Sequence, residues 1–175
     1  MRIKTIFLDR DGVINKEIGY LFRVADFEFI EGIFDACLYF HHLGYKIIII
    51  SNQSGIGRGY YNENDYHKLT KWMLGQFNKN SIKILDTFYC PHSPDLFCEC
   101  RKPKPGMFLE AKNKYNIDMN NSWMIGDKEV DIKAANLAGI TNTILVRSGH
   151  LIDEFNSKSR YITDSIKQAS ELIKL

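Results

Sequence analysis

The sequence predicts an α/β fold built on one doubly wound parallel sheet, and three observations carry that prediction. Short apolar runs lack the apolar/polar alternation of a half-exposed strand, as strands covered on both faces do. They alternate along the chain with segments of helical spacing. The 175 residues, 45% hydrophobic and 25% charged, have the length and composition of a single globular core.

Taken in order, residues 4–8 form a first strand that stops at Asp9-Arg10-Asp11-Gly12. Residues 32–43 set Ile33, Ala36, Cys37, Phe40 and Leu43 at helical spacing, and Gly44 supplies the stop. Residues 46–50, a lysine and four isoleucines, form the second strand and run into Ser51-Asn52-Gln53-Ser54-Gly55. Asn62 can cap a helix reaching about Asn78, with Tyr66, Leu69, Met73 and Phe77 along one face. Residues 87–89 read as a short third strand, 106–115 as a helix, and 123–125 as a strand ending at Gly126-Asp127. Residues 130–138 read as a helix, 143–146 as a fifth strand, and Ile166, Ala169 and Ile173 mark a closing helix. With no repeat, low-complexity stretch or linker, residues 1–175 are expected to form one domain. The irregular exception is residues 90–105, which hold all four prolines.

Composition excludes several roles. A net charge of +2, from 23 basic and 21 acidic residues, gives no electrostatic footprint for nucleic acid or an anionic membrane. No apolar run reaches the roughly 18 residues of a membrane span, and Asp9-Arg10-Asp11 interrupts the first apolar stretch before a signal-peptide core can form. A soluble, cytoplasmic protein is expected, with no nucleic-acid or membrane partner.

In a doubly wound sheet, ligands bind beyond the carboxyl ends of the strands, and the chemically capable residues collect there. Asp9 and Asp11 follow the first strand, and a tight turn can aim both carboxylates at one volume. At about 4 Å two such charges repel by roughly 4 kcal/mol at an effective dielectric near 20, so a cation or a shared proton has to offset them. Taken alone, Asp-x-Asp-Gly is equally at home in a solvated turn. Asp127 after the fourth strand, with Asp131 four residues on, opens onto the same crevice and suggests an oxygen-ligand site for Mg²⁺. Asp131 is equally explained as a first-turn acid favoured by the helix dipole. Residues 51–55 offer hydroxyls, amides and backbone N–H groups to an anion, although a polar loop after a strand is most often only a connection. Arg101 and Lys102 add two cations suited to phosphate.

Cys90, His92, Cys98 and Cys100 lie within eleven residues. Three thiolates and an imidazole complete a closed tetrahedral Zn²⁺ site with no open position, which marks a structural metal; Cys37 reads as core. Because Arg101 and Lys102 follow Cys100 directly, the zinc loop is expected to fix the position of both cations.

These motifs together resemble the haloacid-dehalogenase-like phosphatases, in their histidinol-phosphate phosphatase-like subfamily. They are residues 9–15, Gly19-Tyr20, residues 51–55 with Arg58-Gly59, Cys90-Pro91-His92, residues 98–103 and Gly126-Asp127-Lys128, and the match runs from about Ile3 to Val146. The resemblance implies a Rossmann-like domain with no separate cap and an enzyme that removes the 7-phosphate of a heptose 1,7-bisphosphate on the route to nucleotide-activated heptose for bacterial surface polysaccharide. It implies Asp9 as nucleophile and Asp11 as general acid/base, with Ser51 and Lys102 on the transferring phosphoryl group. Mg²⁺ falls to Asp9, the Asp11 backbone carbonyl and Asp127, and zinc to Cys90, His92, Cys98 and Cys100. Substrate recognition falls to Arg101 and Lys102, to Glu17, Ile18, Gly19 and Tyr20, to Ser51, Asn52, Gln53 and Ser54, and to Lys128. The only partner expected is a small sugar phosphate, and the chain is expected to be a monomer. Three positions depart from the family pattern. Ser51 replaces the usual Thr and keeps the hydroxyl, Glu17 replaces a common Asp, and the segment between His92 and Cys98 is shorter than in some relatives.

Two alternatives remain at this level. Histidinol phosphate is a second substrate class for the same fold and zinc loop. A phosphoryl-receiver signalling domain also combines a doubly wound sheet with a phospho-accepting Asp, Mg²⁺ and a Lys. The second acid at Asp11 argues against the receiver, because a proton donor promotes turnover and a switch needs a lasting acyl-phosphate.

Overall fold

A computed structural model describes residues 2–174. Among these residues are six parallel strands: β1 (Thr5–Leu8), β2 (Lys46–Asn52), β3 (Ile84–Cys90), β4 (Trp123–Gly126), β5 (Asn142–Val146) and β6 (Tyr161–Thr163). Their order in the sheet is β3-β2-β1-β4-β5-β6. The helices are α1 (Ile33–His42), α2 (Ser54–Gly57), α3 (Glu63–Lys79), α4 (Gly106–Tyr115), α5 (Glu129–Leu137) and α6 (Ile166–Leu172).

Strand side chains alternate between two cores, which is why the strands read as unbroken apolar runs. Ile6, Leu8, Ile47 and Ile49 point to the side covered by α1, α3 and α6, where they meet Phe40, Met73, Phe77 and Ala169. Phe7, Ile48, Ile50 and Met124 point to the other side, against Met107 and Phe108 of α4 and Ala134 and Ala135 of α5. Fully burying an isoleucine is worth roughly 1.5–3 kcal/mol, so neither face can be turned to water without large loss.

The sheet runs outward from β1 in both directions, toward β2 and toward β4, which makes the β1/β4 boundary the switch point where ligands bind. Register sets the site level: Leu8 pairs with Ile49 and with Ile125, and the Asp9 N–H donates to the Ile125 carbonyl at 3.0 Å. Asp9, Ser51 and Asp127 therefore emerge at one end of the sheet.

The doubly wound expectation holds, and the differences lie at the edges. β3 starts at Ile84, three residues before the expected strand, because the polar Asp86 hides the pattern on a half-buried edge strand. β6 was not expected; it is three residues on the opposite edge. α2 begins inside residues 51–55, whose polar, glycine-containing run reads as a loop. α3 starts as expected: the Asn62 side chain accepts from the Asp65 N–H, and Asp65 accepts from the Asn62 N–H.

Candidate active site

Asp9, Asp131 and Lys102 line a cleft of about 450 Å³ at the switch point, and the fully buried Asp127 belongs to the same acidic cluster. One carboxylate oxygen from each of Asp9, Asp127 and Asp131 lies within 4.8 Å of the others, and all three residues are buried. The Lys102 Nζ, also buried, donates to Asp9 Oδ1 at 2.8 Å and to the Ile50 carbonyl at 2.9 Å, and pairs with Asp131 Oδ1 at 2.6 Å. Burial pushes the Asp9 carboxyl up to about 6, with Lys102 pulling it down and Asp131 and Asp11 adding to the rise. Burial also disfavours the charged Lys102, but Asp131 and Asp9 outweigh it and raise its pKa.

Asp127 is the least satisfied of the three. Its Oδ2 accepts from the His150 N–H at 3.1 Å and sits 2.6 Å from His150 Nδ1, while its Oδ1 is buried with no hydrogen-bond partner among the described residues. Burial, then the charges of Asp9 and Asp131, push its carboxyl up to about 9. Two glycines make room for it. A Cβ at Gly12, whose φ is +86°, would lie 2.3 Å from Asp127 Oδ2, and one at Gly149 would lie 2.0 Å from it. Three carboxylates against one ammonium leave the cluster two positive charges short when all are ionised, and one of its oxygens, Asp127 Oδ1, is buried and unpartnered among the described residues. A hard divalent cation such as Mg²⁺ meets both needs.

Asp11 belongs to a different network. Its Oδ1 accepts from Arg10 Nη2 at 2.9 Å and Asn15 Nδ2 at 3.0 Å, and its Oδ2 accepts from Gln53 Nε2 at 3.1 Å. Burial favours the protonated acid, but Arg10 and these hydrogen bonds outweigh it and hold the carboxyl below its ordinary value. The Asp11 carboxylate is thus absent from the acidic cluster and Asp131 takes the third place, so only the Asp11 backbone carbonyl remains to serve a metal there.

Most of the residues expected from sequence line the cleft, with informative exceptions. Glu17, Gly19, Tyr20, Gln53, Ser54, Arg101 and Lys128 line it. Ser51 lies just beneath, buried and 2.5 Å from Gln53 Nε2. Ile18 does not line it: the side chain is 56% exposed, because the turn at Gly19 and Tyr20, both at positive φ, directs its neighbours inward instead. Asn52 lines the cleft, yet both ends of its amide are engaged with the Lys102 backbone, accepting from the N–H and donating to the carbonyl at 3.1 Å each. Lys102 is therefore pinned from β2, Asp9 and Asp131, not by the cysteine loop alone as the sequence suggested.

In that loop the four expected ligand atoms also lie within 4.8 Å of one another. Cys90 Sγ is 3.7 Å from Cys98 Sγ and 3.5 Å from His92 Nδ1, which in turn is 3.2 Å from Cys100 Sγ. A zinc tetrahedron with bonds near 2.3 Å to sulfur and 2.1 Å to nitrogen has edges of about 3.5–3.8 Å, so the donor set fits that ion. Glycines seat the loop: a Cβ at Gly57 would lie 2.5 Å from the Ser93 nitrogen, and one at Gly106 would lie 2.2 Å from the Glu99 carbonyl oxygen.

Sequence reasoning missed Arg10, His150 and Tyr61, and left Asp131 undecided. Arg10 and Tyr61 carried no signal apart from their neighbours, and His150 follows a loop whose approach to Asp127 only the fold reveals.

Comparison with known proteins identifies the lineage. Residues 99–169 match the family model described as HAD-hydrolase-like. The chain is 44% identical to the D-glycero-alpha-D-manno-heptose-1,7-bisphosphate 7-phosphatase of Photorhabdus laumondii, covering 98% of this chain and 97% of that one. It is 45% identical to the D-glycero-beta-D-manno-heptose-1,7-bisphosphate 7-phosphatase of Vibrio cholerae, covering 93% and 91%. The crystal structure of D,D-heptose 1,7-bisphosphate phosphatase from B. bronchiseptica, complexed with magnesium and phosphate, superposes with a TM-score of 0.85 at 27% identity, covering 97% of both chains. Aligned over nearly its full length with relatives at 44–45% identity and sharing their fold, the chain belongs to the heptose-1,7-bisphosphate 7-phosphatase family of haloacid-dehalogenase-like hydrolases.

Proposed function

We propose that this protein hydrolyses the 7-phosphate of a D-glycero-D-manno-heptose 1,7-bisphosphate through an aspartyl-phosphate on Asp9, supplying a heptose 1-phosphate for activation to a nucleotide sugar. The observation that carries the reading is Asp9 at the switch point, bound to Lys102 at 2.8 Å, with Asp11 two residues away. The 44–45% identity to relatives named for that reaction supplies the substrate class, and both anomers occur among those names.

An Asp9 oxygen attacks the phosphorus, and the bond from phosphorus to the sugar oxygen breaks as the new bond to Asp9 forms. Lys102 and the Ser51 hydroxyl hold the transferring oxygens. Mg²⁺, which Asp9, Asp127 and the Asp11 carbonyl would hold, supplies charge neutralisation for the phosphoryl group. Asp11 donates a proton to the leaving sugar oxygen and then, as carboxylate, takes one from the water that attacks the phosphorus and frees Asp9. Arg10, Asn15 and Gln53 favour the ionised form of Asp11, the form needed for the second half. The negative charge of the arriving substrate favours the protonated form needed for the first.

Arg101, Lys128, Glu17 and Tyr20 at the rim meet the sugar and its second phosphate. Cys90, His92, Cys98 and Cys100 hold a structural zinc. Thiols arranged as metal ligands suit a reducing cytoplasm, where the protein would act as a monomer. No helix among the described residues is long and apolar enough to cross a membrane.

The test is phosphate release from both anomers of heptose 1,7-bisphosphate and from histidinol phosphate. One heptose anomer is expected to exceed histidinol phosphate in kcat/KM by about 100-fold or more. Preference for histidinol phosphate, or no release from either anomer, contradicts the assignment.

A further inference from the structure

We propose that the Tyr61 hydroxyl is a positioning group for phosphoryl transfer, holding the Gln53 amide in the one orientation that lets it donate to both Ser51 and Asp11. The inference rests on the phosphatase reading above and assigns a role to a residue that touches none of the reacting atoms.

The Tyr61 ring is gripped on both sides. A Cβ at Gly55 would lie 2.1 Å from Tyr61 Cε1 and 2.8 Å from its Cζ, so only glycine lets the ring lie against that backbone. Phe22 stacks on the ring at 5.3 Å between centroids and 10° between planes. That clamp sets the Tyr61 hydroxyl 2.5 Å from Gln53 Oε1. Gln53 is buried, and its Nε2 is 2.5 Å from Ser51 Oγ and 3.1 Å from Asp11 Oδ2.

The polarity of this chain follows from Asp11. A carboxylate only accepts, so the end of the Gln53 amide facing Asp11 has to be the NH₂ group. The carbonyl end then faces Tyr61, which donates its O–H to it. Burial pushes the Tyr61 phenol up to about 12, which keeps that proton in place at neutral pH. Both Gln53 N–H groups are now engaged, one on Ser51 and one on Asp11. Ser51 accepts from Gln53, which leaves its own hydrogen for a phosphoryl oxygen. Without the Tyr61 hydroxyl, Gln53 Oε1 is buried and unpaired, and rotation of the amide would aim a carbonyl at the Asp11 carboxylate.

The test is a double-mutant cycle of Tyr61→Phe and Gln53→Ala, with p-nitrophenyl phosphate and heptose 1,7-bisphosphate each as substrate. Tyr61→Phe keeps the ring and removes only the hydroxyl. It is expected to lower kcat about five-fold while KM stays within about two-fold. On the Gln53→Ala background the same substitution is expected to have no further effect on kcat, because no amide remains to orient. Wild-type kcat in Tyr61→Phe overturns the proposal, as does an equal loss on both backgrounds, which marks a purely structural ring. The generic ester keeps this outcome separate from the sugar assignment: if the heptose bisphosphate is not turned over, the cycle is still read on p-nitrophenyl phosphate. Absence of phosphate release from every ester contradicts the phosphatase reading and this inference with it.

Discussion

The carboxylate cleft and the cysteine-histidine loop meet at Arg101-Lys102, but they keep their shapes by different means. The cleft is framed by strand ends in fixed register, and its charged groups are cross-linked: Lys102 binds Asp9, Asp131, the Ile50 carbonyl and, through its backbone, Asn52. The loop has little apolar packing of its own. Phe97 at its tip is 89% exposed, and what draws the loop together is the cluster of Cys90, His92, Cys98 and Cys100. A frame built by the sheet tolerates loss of a metal; a loop whose ordering depends on metal binding does not.

The largest effect distinguishing the two regions is expected at Asp131. Removing Asp131 leaves the buried Lys102 ammonium with Asp9 as its one carboxylate partner and strips it of a charged hydrogen bond, so Asp131→Ala should lower unfolding stability by about 2 kcal/mol. It should also lower kcat about 100-fold, through a loosened Lys102. Chemical denaturation and phosphate release on the same preparation check both; unchanged stability would mean that Asp131 does not restrain Lys102.

Zinc removal should have a smaller effect on chemistry than adjacency to Cys100 suggests. Protein stripped of zinc and resupplied with Mg²⁺ should keep its circular-dichroism signal. Because Lys102 stays pinned while Arg101 loosens, kcat/KM should fall about tenfold for the bisphosphate and less for p-nitrophenyl phosphate, and Zn²⁺ should restore it. Equal collapse on both substrates would show that the loop, not the sheet, positions Lys102.

The smallest effect concerns the ends of β3 and α4 remote from the loop, where Asp86 on β3 accepts from Lys114 Nζ at 2.8 Å and Tyr115 Oη at 2.7 Å on α4. Burial raises its pKa, but these hydrogen bonds outweigh it and lower the carboxyl below its ordinary 3.8. A carboxyl depressed on folding adds stability above its unfolded pKa and loses it as pH falls through the folded value. Asp86→Asn should therefore lose about 0.5–1 kcal/mol at pH 7, with the gap from wild type closing below pH 4 in urea titrations. A gap that stays constant with pH would remove the charge from this account.

The contrast also sets what the sequence reveals. Strands β1 and β2 are legible because burial on both faces forces unbroken apolar runs, and the cluster of Cys90, His92, Cys98 and Cys100 because residues able to hold one metal from a loop lie close in sequence. Asp131 is not, because an acid in the first turn of a helix satisfies the dipole whether or not it reaches a lysine 29 positions away. Tyr61 and His150 act through contacts that exist only once α2 and the 147–150 turn have folded over the strand ends. β6 stays hidden since three edge residues carry too short a pattern.

The central claim is that the phosphoryl group passes through Asp9, and one measurement tests it directly. In Asp11→Asn, p-nitrophenyl phosphate can still phosphorylate the enzyme, because its leaving group needs no proton, while hydrolysis of the intermediate is slowed for want of a base. Acid-quenched protein, reduced with borohydride and mapped by peptide mass spectrometry, should then carry homoserine at position 9. Reduction at Asp127 or Asp131, or continued p-nitrophenol release with Asp9 unmodified, would contradict the account.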